Sequence, residues 1–583
     1  MGQGDSKPQQ TLSAEQVSSL FAQRCAKRFS AIDIYSLKTV VKQLADNEPG
    51  VGNYWKEETL IKFLGVPDSL PNVGHLLFKS ASFLAAFPFI HSLAPAPLTI
   101  EGLVRALAFY TQKYRGLLNE NYNVVRLLFL SFATFEKSDA GEKSGPSEKD
   151  DKTIVDDEED DLIVYTMADV DSWDEFTAVK NFDNVSMEEY YIPADHLKEL
   201  FTFLLAVMQF NAPDDISQYA QTHFTAKAMR QYSAAADALM ATIGPKPKVS
   251  YAAFQAAFTF SFPHILEPLG RFFGQLLYAG DFGKHGHTAA DGSDPKSQGQ
   301  LEPGIVQETS ELLSESTLAK LASILGKNEI VGRLVKLYIG AEAGYSLQAF
   351  ETKVFKWSSA SLLILSGQII SPAESGNDSR KKAFDNLIPP SRTYKHSDPK
   401  SYPSKAVFAV LVDTPWKSHA KKSFGGRLCQ IIQLAPALDV YASSALRSNY
   451  VYFNRSGASV IGFGGTPPKT VAGHSQFDIE NVSLTIDGGL EFATFRHLGA
   501  GGSYHVSQSH PDNEFEYRMR IDDLEVWGYG GAAELEEQKK QWEWEEREAE
   551  YRRSVNVQSY GEGRALLEMA GLVGNHRASG GSM

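Results

Sequence analysis

Apolar residues recur three and four positions apart through most of the first half of the chain. Val17, Leu20, Phe21, Cys25 and Phe29 form one such stripe, behind Ser13 and Gln16, whose spacing is that of a capping box. Leu37, Val40, Val41 and Leu44 form a second, and Leu60, Phe63 and Leu64 a third. Residues 103–113, 124–135, 195–209 and 249–266 continue the helical spacing. Past residue 330 the pattern changes. Ser361-Leu-Leu-Ile-Leu-Ser366 and Ala406-Val-Phe-Ala-Val-Leu-Val412 are short continuous apolar runs, read as core strands of a sandwich. Ile461-Gly-Phe-Gly-Gly465, Leu484-Thr-Ile-Asp-Gly-Gly489 and Leu524-Glu-Val-Trp-Gly-Tyr529 are β-type runs punctuated by glycine, as where strands end in tight turns. Between them the apolar positions Phe424, Leu428, Ile431, Ile432 and Leu434 read as a helical run that contains Cys429.

Polar stretches divide these patterns. Residues 137–161 end in an acidic run at 156–161, which repels itself and predicts a disordered loop. Residues 281–304 are rich in Gly, Asp, Ser and Gln and separate the helical half from the β half. Residues 371–404 are a long polar insertion between two strands. The pattern from 534 to 554 is strongly helical, with Glu536–Lys540, Glu543–Arg547 and Glu548–Arg552 in the favourable i,i+4 order. Trp542 and Trp544 lie in it and cannot share one face. Aromatic side chains in charged surroundings are typical of contact surfaces, so Trp542, Trp544 and Tyr551 are the candidate partner-binding residues. The competing reading is that this helix packs back on its own β domain. Residues 564–573 suggest a short final helix.

The order of the β half, with segments 334–338, 362–370, 407–413, 452–465, 484–487 and 524–529, resembles the TLDc domain. The chain as a whole is similar to the fungal restriction of telomere capping protein five family, which is related to the oxidation resistance proteins. The resemblance covers nearly all 583 residues, and it is carried by Gly-Phe-Gly-Gly, Ile-Asp and Glu-Val-Trp-Gly together. It implies an α+β chain with an N-terminal all-helical region of degenerate EF-hand-like helix pairs. A two-sheet antiparallel β-sandwich with flanking helices and a C-terminal helix follows. The corresponding division is a flexible N-terminus (1–12), a helical region (13–280), a linker (281–310), the TLDc domain (311–530) and a C-terminal extension (531–583).

Composition narrows the chemistry. Lys and Arg number 56 against 71 Asp and Glu, a net charge of −15. Nucleic acid is therefore not expected as a partner, because phosphate neutralisation needs clustered cations. Two cysteines, Cys25 and Cys429, exclude a disulfide framework and fit a reducing compartment. No apolar run reaches the roughly 20 residues of a membrane-spanning helix. The opening Met1-Gly-Gln-Gly-Asp-Ser6 fits an N-myristoylation signal with Gly2 as acceptor. One acyl chain holds a membrane only marginally, and Lys7, Arg24, Lys27 and Arg28 are a thin basic supplement.

Candidate reactive groups are sparse. Residues 46–57 frame a calcium loop with Asp46, Glu48 and Glu57 at the first, third and last positions, but Val51 stands where the turn needs glycine and Gly50 where a ligand should be. Asp169 and Asp171 open a similar frame that closes on Lys180. Gly462-Phe-Gly464-Gly465 falls short of a dinucleotide fingerprint and lacks a crossover helix. His285 and His287 are read as solvated. A Cys/His/Asp site from Cys429, His419 and Asp413 is conceivable, yet Cys429 reads better as a small buried hydrophobe. His497, His505, His510, Asp487 and Glu525 complete the candidates in the β half, the carboxylates being expected to order turns or pair with cations. No cofactor and no metal are expected.

The resemblance implies a non-enzymatic adaptor. It would bind the peripheral, cytosolic part of the vacuolar-type proton-pumping ATPase at the vacuolar membrane and favour its disassembled state, with a link to telomere capping suggested by the family name alone. The alternatives are an oxidative-stress protein with thiol-based activity through Cys429, and a membrane-associated signalling scaffold.

Overall fold

The computed structural model describes residues 11–48, 52–120, 122–136, 165–166, 173–278, 309–373, 378–418, 422–455, 460–471 and 474–530, and of the C-terminal extension 534, 536–540, 543, 544, 547 and 548. The helical half begins as its capping signals dictate. Helix Ala14–Ala26 starts at Ser13 with a full capping box, and helix Ala31–Leu44 starts at Ser30 with another, closed by Asp33. Helices Glu57–Leu64, Pro71–Ala85, Ile100–Tyr110, Val124–Phe132, Ala194–Ala206, Ala226–Ile243 and Tyr251–Phe260 follow.

This half is not purely helical. Strand Gly52–Trp55 pairs with Asp46–Glu48 on one side and with Leu98–Thr99 on the other. Strand Tyr190–Pro193 likewise joins Thr134–Phe135 to Lys248–Ser250. The connections of two helix–loop–helix units thus meet as a short antiparallel ladder, twice over. The expected helices at 124–135 and 249–266 are each shortened by one of these strands. The sequence pattern left helices Pro71–Ala85 and Ala226–Ile243 unmarked.

The β half contains one ten-stranded antiparallel sheet. Its strands are β1 (Leu334–Ile339), β2 (Ser361–Ile369), β3 (Lys405–Val412), β4 (Gln430–Ala435) and β5 (Asp439–Ala442), then β6 (Val451–Asn454), β7 (Val460–Val471), β8 (His474–Asp487), β9 (Phe492–His497) and β10 (Phe515–Tyr529). The order is β5-β4-β3-β2-β10-β9-β8-β7-β6, with β1 on β10. Strand β10 pairs with β9 through Phe515–Arg520 and with β1 through Glu525–Tyr529. The two layers are therefore parts of one hydrogen-bonded ladder, folded so that their inner faces share a core. Phe408 of β3 meets Phe495 of β9 with ring centroids 4.5 Å apart, and Leu363, Val410, Ile431, Phe463, Leu484 and Val526 fill the same cluster.

The outer face of β2–β4 is buried as well. Leu362, Ile364, Ala409, Leu411, Ile432, Leu434 and Trp527 belong to the core of the helical half. This explains why β2 and β3 read as unbroken apolar runs: both faces are covered. Helix Glu315–Leu325 lies in that seam, where Lys320 donates its ammonium to the Leu434 carbonyl at 2.8 Å.

Two expectations need correction. The run around Cys429 is not a helix. Ile431 faces the sandwich core and Ile432 the helical half, the alternation of a strand buried on both sides, and Gly425 (φ +99°) turns the chain just before it. Residues 371–404 are also more than a polar insertion. Helix Ser379–Leu387 lays Phe384 on Phe492, and Ile388 and Tyr394 are buried beside it.

Candidate partner-binding surface

The glycine-marked motifs build backbone geometry. A methyl group at Gly462 would lie 2.0 Å from Cζ of Tyr452, whose ring crosses that strand. Gly464 and Gly465 have φ of +81° and +138° at the point where the β7–β8 register shifts. Asp487 accepts from the backbone N–H groups of Gly489, Glu491 and Phe492 and so closes the β8–β9 turn, while burial raises its carboxyl above the ordinary range. Glu525, almost fully buried, accepts from Trp527 Nε1 at 3.0 Å and Ser310 Oγ at 2.6 Å. The Ile-Asp and Glu-Val-Trp signatures thus lock turns and strands in place.

The thiols are held quiet. Cys429 donates to Asp413 Oδ1 at 3.1 Å, and the same carboxylate takes the N–H groups of Gly426 and Leu428. Burial pushes the Cys429 thiol up to about 12, and Cys25 likewise. An activated thiol needs the opposite shift. His419, the imagined base beside it, lies outside the described residues. So do His285, His287, Asp169 and Asp171. His497 is buried, its Nδ1 2.6 Å from the Asn513 carbonyl and its Nε2 accepting from the Ser507 N–H, and His510 meets the Thr242 carbonyl through Nε2. Asp46 accepts from Lys56 N and Thr59 Oγ1, which ties the would-be calcium loop to its own helix. Among the described residues no group of three His, Cys, Asp or Glu is placed to hold a metal. No described helix is long and apolar enough to cross a membrane.

Two open clefts mark the β half. One, about 700 Å³, lies between β1 and helix Leu347–Val354, where Lys336 pairs with Glu342 at 3.0 Å. The other, about 650 Å³, runs beside Gln368, Asp378, Tyr402 and Arg520. Neither brings a nucleophile against a base.

Of the residues expected to contact a partner, Trp544 is helical and 59% exposed. Trp542, Tyr551 and Gly2 lie outside the described residues. Sequence reasoning missed the residue that fixes this helix to the β domain. Gln538 is buried, donates to the Lys356 carbonyl at 2.6 Å and accepts from the Ser358 N–H at 3.1 Å. Glu536 and Lys540 form the expected pair at 2.8 Å. Two of the N-terminal cations are already engaged: the Arg24 guanidinium lies over the Trp173 ring, and Arg28 donates to the Gly116 carbonyl.

The TLDc domain family matches residues 306–530, which span the whole ten-stranded sheet and the helix in the seam. Proteins named restriction of telomere capping protein 5 match along both whole chains: 31% identity in Leptosphaeria maculans and 32% in Komagataella phaffii, each with 100% of both sequences covered. The chain belongs to the restriction of telomere capping protein 5 family. A member from Neurospora crassa is 30% identical over 98% of this chain and 96% of its own. In this family member, then, the helical half is an integral companion of the TLDc domain, sharing one apolar core with it.

Proposed function

We propose that this protein is a non-enzymatic regulator that binds the peripheral, cytosolic part of the vacuolar-type proton-pumping ATPase at the vacuolar membrane and favours its disassembly. What carries the reading is the C-terminal helix. Gln538 fastens its start to the loop before β2, while Trp544, two turns on, stands in solvent. That arrangement leaves an exposed aromatic on a helix fastened to the β domain, and aromatic anchors dominate binding energy in protein interfaces. The family resemblance supplies the identity of the partner. The mechanism is differential binding: the β domain grips one subunit while the helix wedges against a neighbour, shifting assembly only as far as the released form is bound better. Acylation at Gly2 would add local concentration at the membrane.

Affinity isolation of the intact protein from native membranes tests this. Pump subunits should be recovered, and Trp544→Ala should lower the recovery several-fold with the melting temperature unchanged. Recovery of no pump subunits with the folded parent would sink the reading.

A further inference from the structure

The end of the sheet formed by the β3–β4 and β5–β6 connections carries two leucines in an unusual setting. Leu428 and Leu446 are each 74% exposed, more than any other large apolar side chain among the described residues. Both continue from the same end of the β4–β5 ladder, where Gln430 pairs with Ala442, and Ser443 Oγ ties the two loops together by donating to the Arg427 carbonyl. The opposite end of that ladder is the 436–438 turn, whose Leu438 N–H is held by Thr242 of the helical half. The leucines therefore stand in solvent at the end of the ladder away from the helical half.

Each leucine has an arginine as its chain neighbour, Arg427 and Arg447. Between residues 414 and 458 the chain has six cationic side chains (Lys417, Lys421, Lys422, Arg427, Arg447 and Arg455) against one carboxylate, Asp439, in a molecule of net charge −15. Asp439 is buried. The nearer carboxylates are consumed internally: Asp413 by backbone donors and Cys429, Glu480 by the Ser503 N–H and Arg447. Lys417, Lys422 and Arg427 are exposed, as is Arg447 beside Glu480, while Arg455 pairs with Glu351.

We infer that this end of the β domain is a membrane-contact tip that sets Leu428 and Leu446 into the interface of an anionic lipid leaflet. Protruding hydrocarbon ringed by cations matches a leaflet in which phosphate lies just above acyl chains, and long basic side chains reach the headgroups while the leucines go deeper. The tip answers a need left by the proposed function, since one acyl chain holds a membrane only marginally. It rests on that reading only in placing the chain at a membrane.

The test uses the full chain with Gly2→Ala, so that no acyl group can contribute, in co-sedimentation with vesicles of phosphatidylcholine alone or with added phosphatidylserine. Binding should require phosphatidylserine and weaken as salt rises. Leu428→Ser with Leu446→Ser should reduce it roughly tenfold, and Lys422→Gln with Arg427→Gln by a similar factor. Leu44→Ser with Leu93→Ser, also exposed leucines, should leave it unchanged. Equal sedimentation with both vesicle types, or full binding by the double leucine variant, overturns the inference. Pump recovery from detergent extracts, measured on the same variants, reports on the proposed function separately. A chain that recovers the pump and ignores vesicles refutes the tip alone.

Discussion

Gly462 shows how one residue type serves the fold through absence. The Tyr452 ring occupies the space a Cβ would need, so Gly462→Ala must displace a fully buried aromatic. Overpacking of this kind costs on the order of 1–3 kcal/mol, and thermal unfolding should show a drop of several degrees. A variant melting with the parent would mean the ring can move freely. Cys429 makes the reverse case, a reactive type put to structural use. Its thiol donates to a carboxylate that also fixes a tight turn, and a serine hydroxyl can make the same donation. Cys429→Ser should therefore keep pump recovery and any stress phenotype intact. Loss of either in a folded variant would revive thiol chemistry. The sequence reads this glycine as punctuation at a strand end, whereas it lies inside β7 and pairs with Tyr452. The tyrosine lying on it was not legible either, since nothing local links residues ten apart on paired strands.

Elements meet here through buried cations. Arg518 of β10 donates to Glu516 at 2.9 Å and, across the insertion, to Asp385 and the Ile388 carbonyl at 2.8 Å each. Glu516 has no exposure and keeps Arg496 and the Ser391 N–H as partners, so Arg518→Ala removes one of its two cations and should cost about 2–3 kcal/mol. Chemical denaturation checks this, and a loss under about 1 kcal/mol would contradict the anchoring role. Residues 371–404 looked polar in sequence because their few apolar side chains, Phe384, Ile388 and Tyr394, are widely spaced. Only the fold lines them up against Phe492 and Arg518.

Lys327 joins the two halves by donating to the Gln209 and Phe210 carbonyls and Asn211. Burial first, and Arg271 beside it, lower its ammonium from 10.5 to about 7. The unfolded chain binds that proton up to the ordinary lysine range and the folded chain releases it much earlier. Stability should therefore rise with pH from about 7 to about 10 and level off below 7, where both states hold the proton. Lys320, lowered to about 8 by burial, adds in the same sense. Melting temperatures across pH 6 to 9 should climb in the parent and climb less in Lys327→Met, where Lys320 alone contributes. An equal slope in the variant would assign the effect elsewhere.

At the scale of the whole molecule, most of the N-terminal helices, the main strand runs and the TLDc signatures could be read from the chain, because amphipathic period and turn chemistry are local properties. The family followed from the same residues. Four things came only from three dimensions. The two layers are one ladder, since β10 is long enough to serve both. The unbroken apolar runs of β2 and β3 lie under the helical half, and periodicity alone cannot say what covers a strand's second face. Cys429 precedes a strand, because apolar residues in adjacent pairs fit a helix stripe and a doubly buried strand equally. And Gln538 fastens the C-terminal helix to the loop before β2 through backbone groups about 180 residues away, whose position no local pattern records.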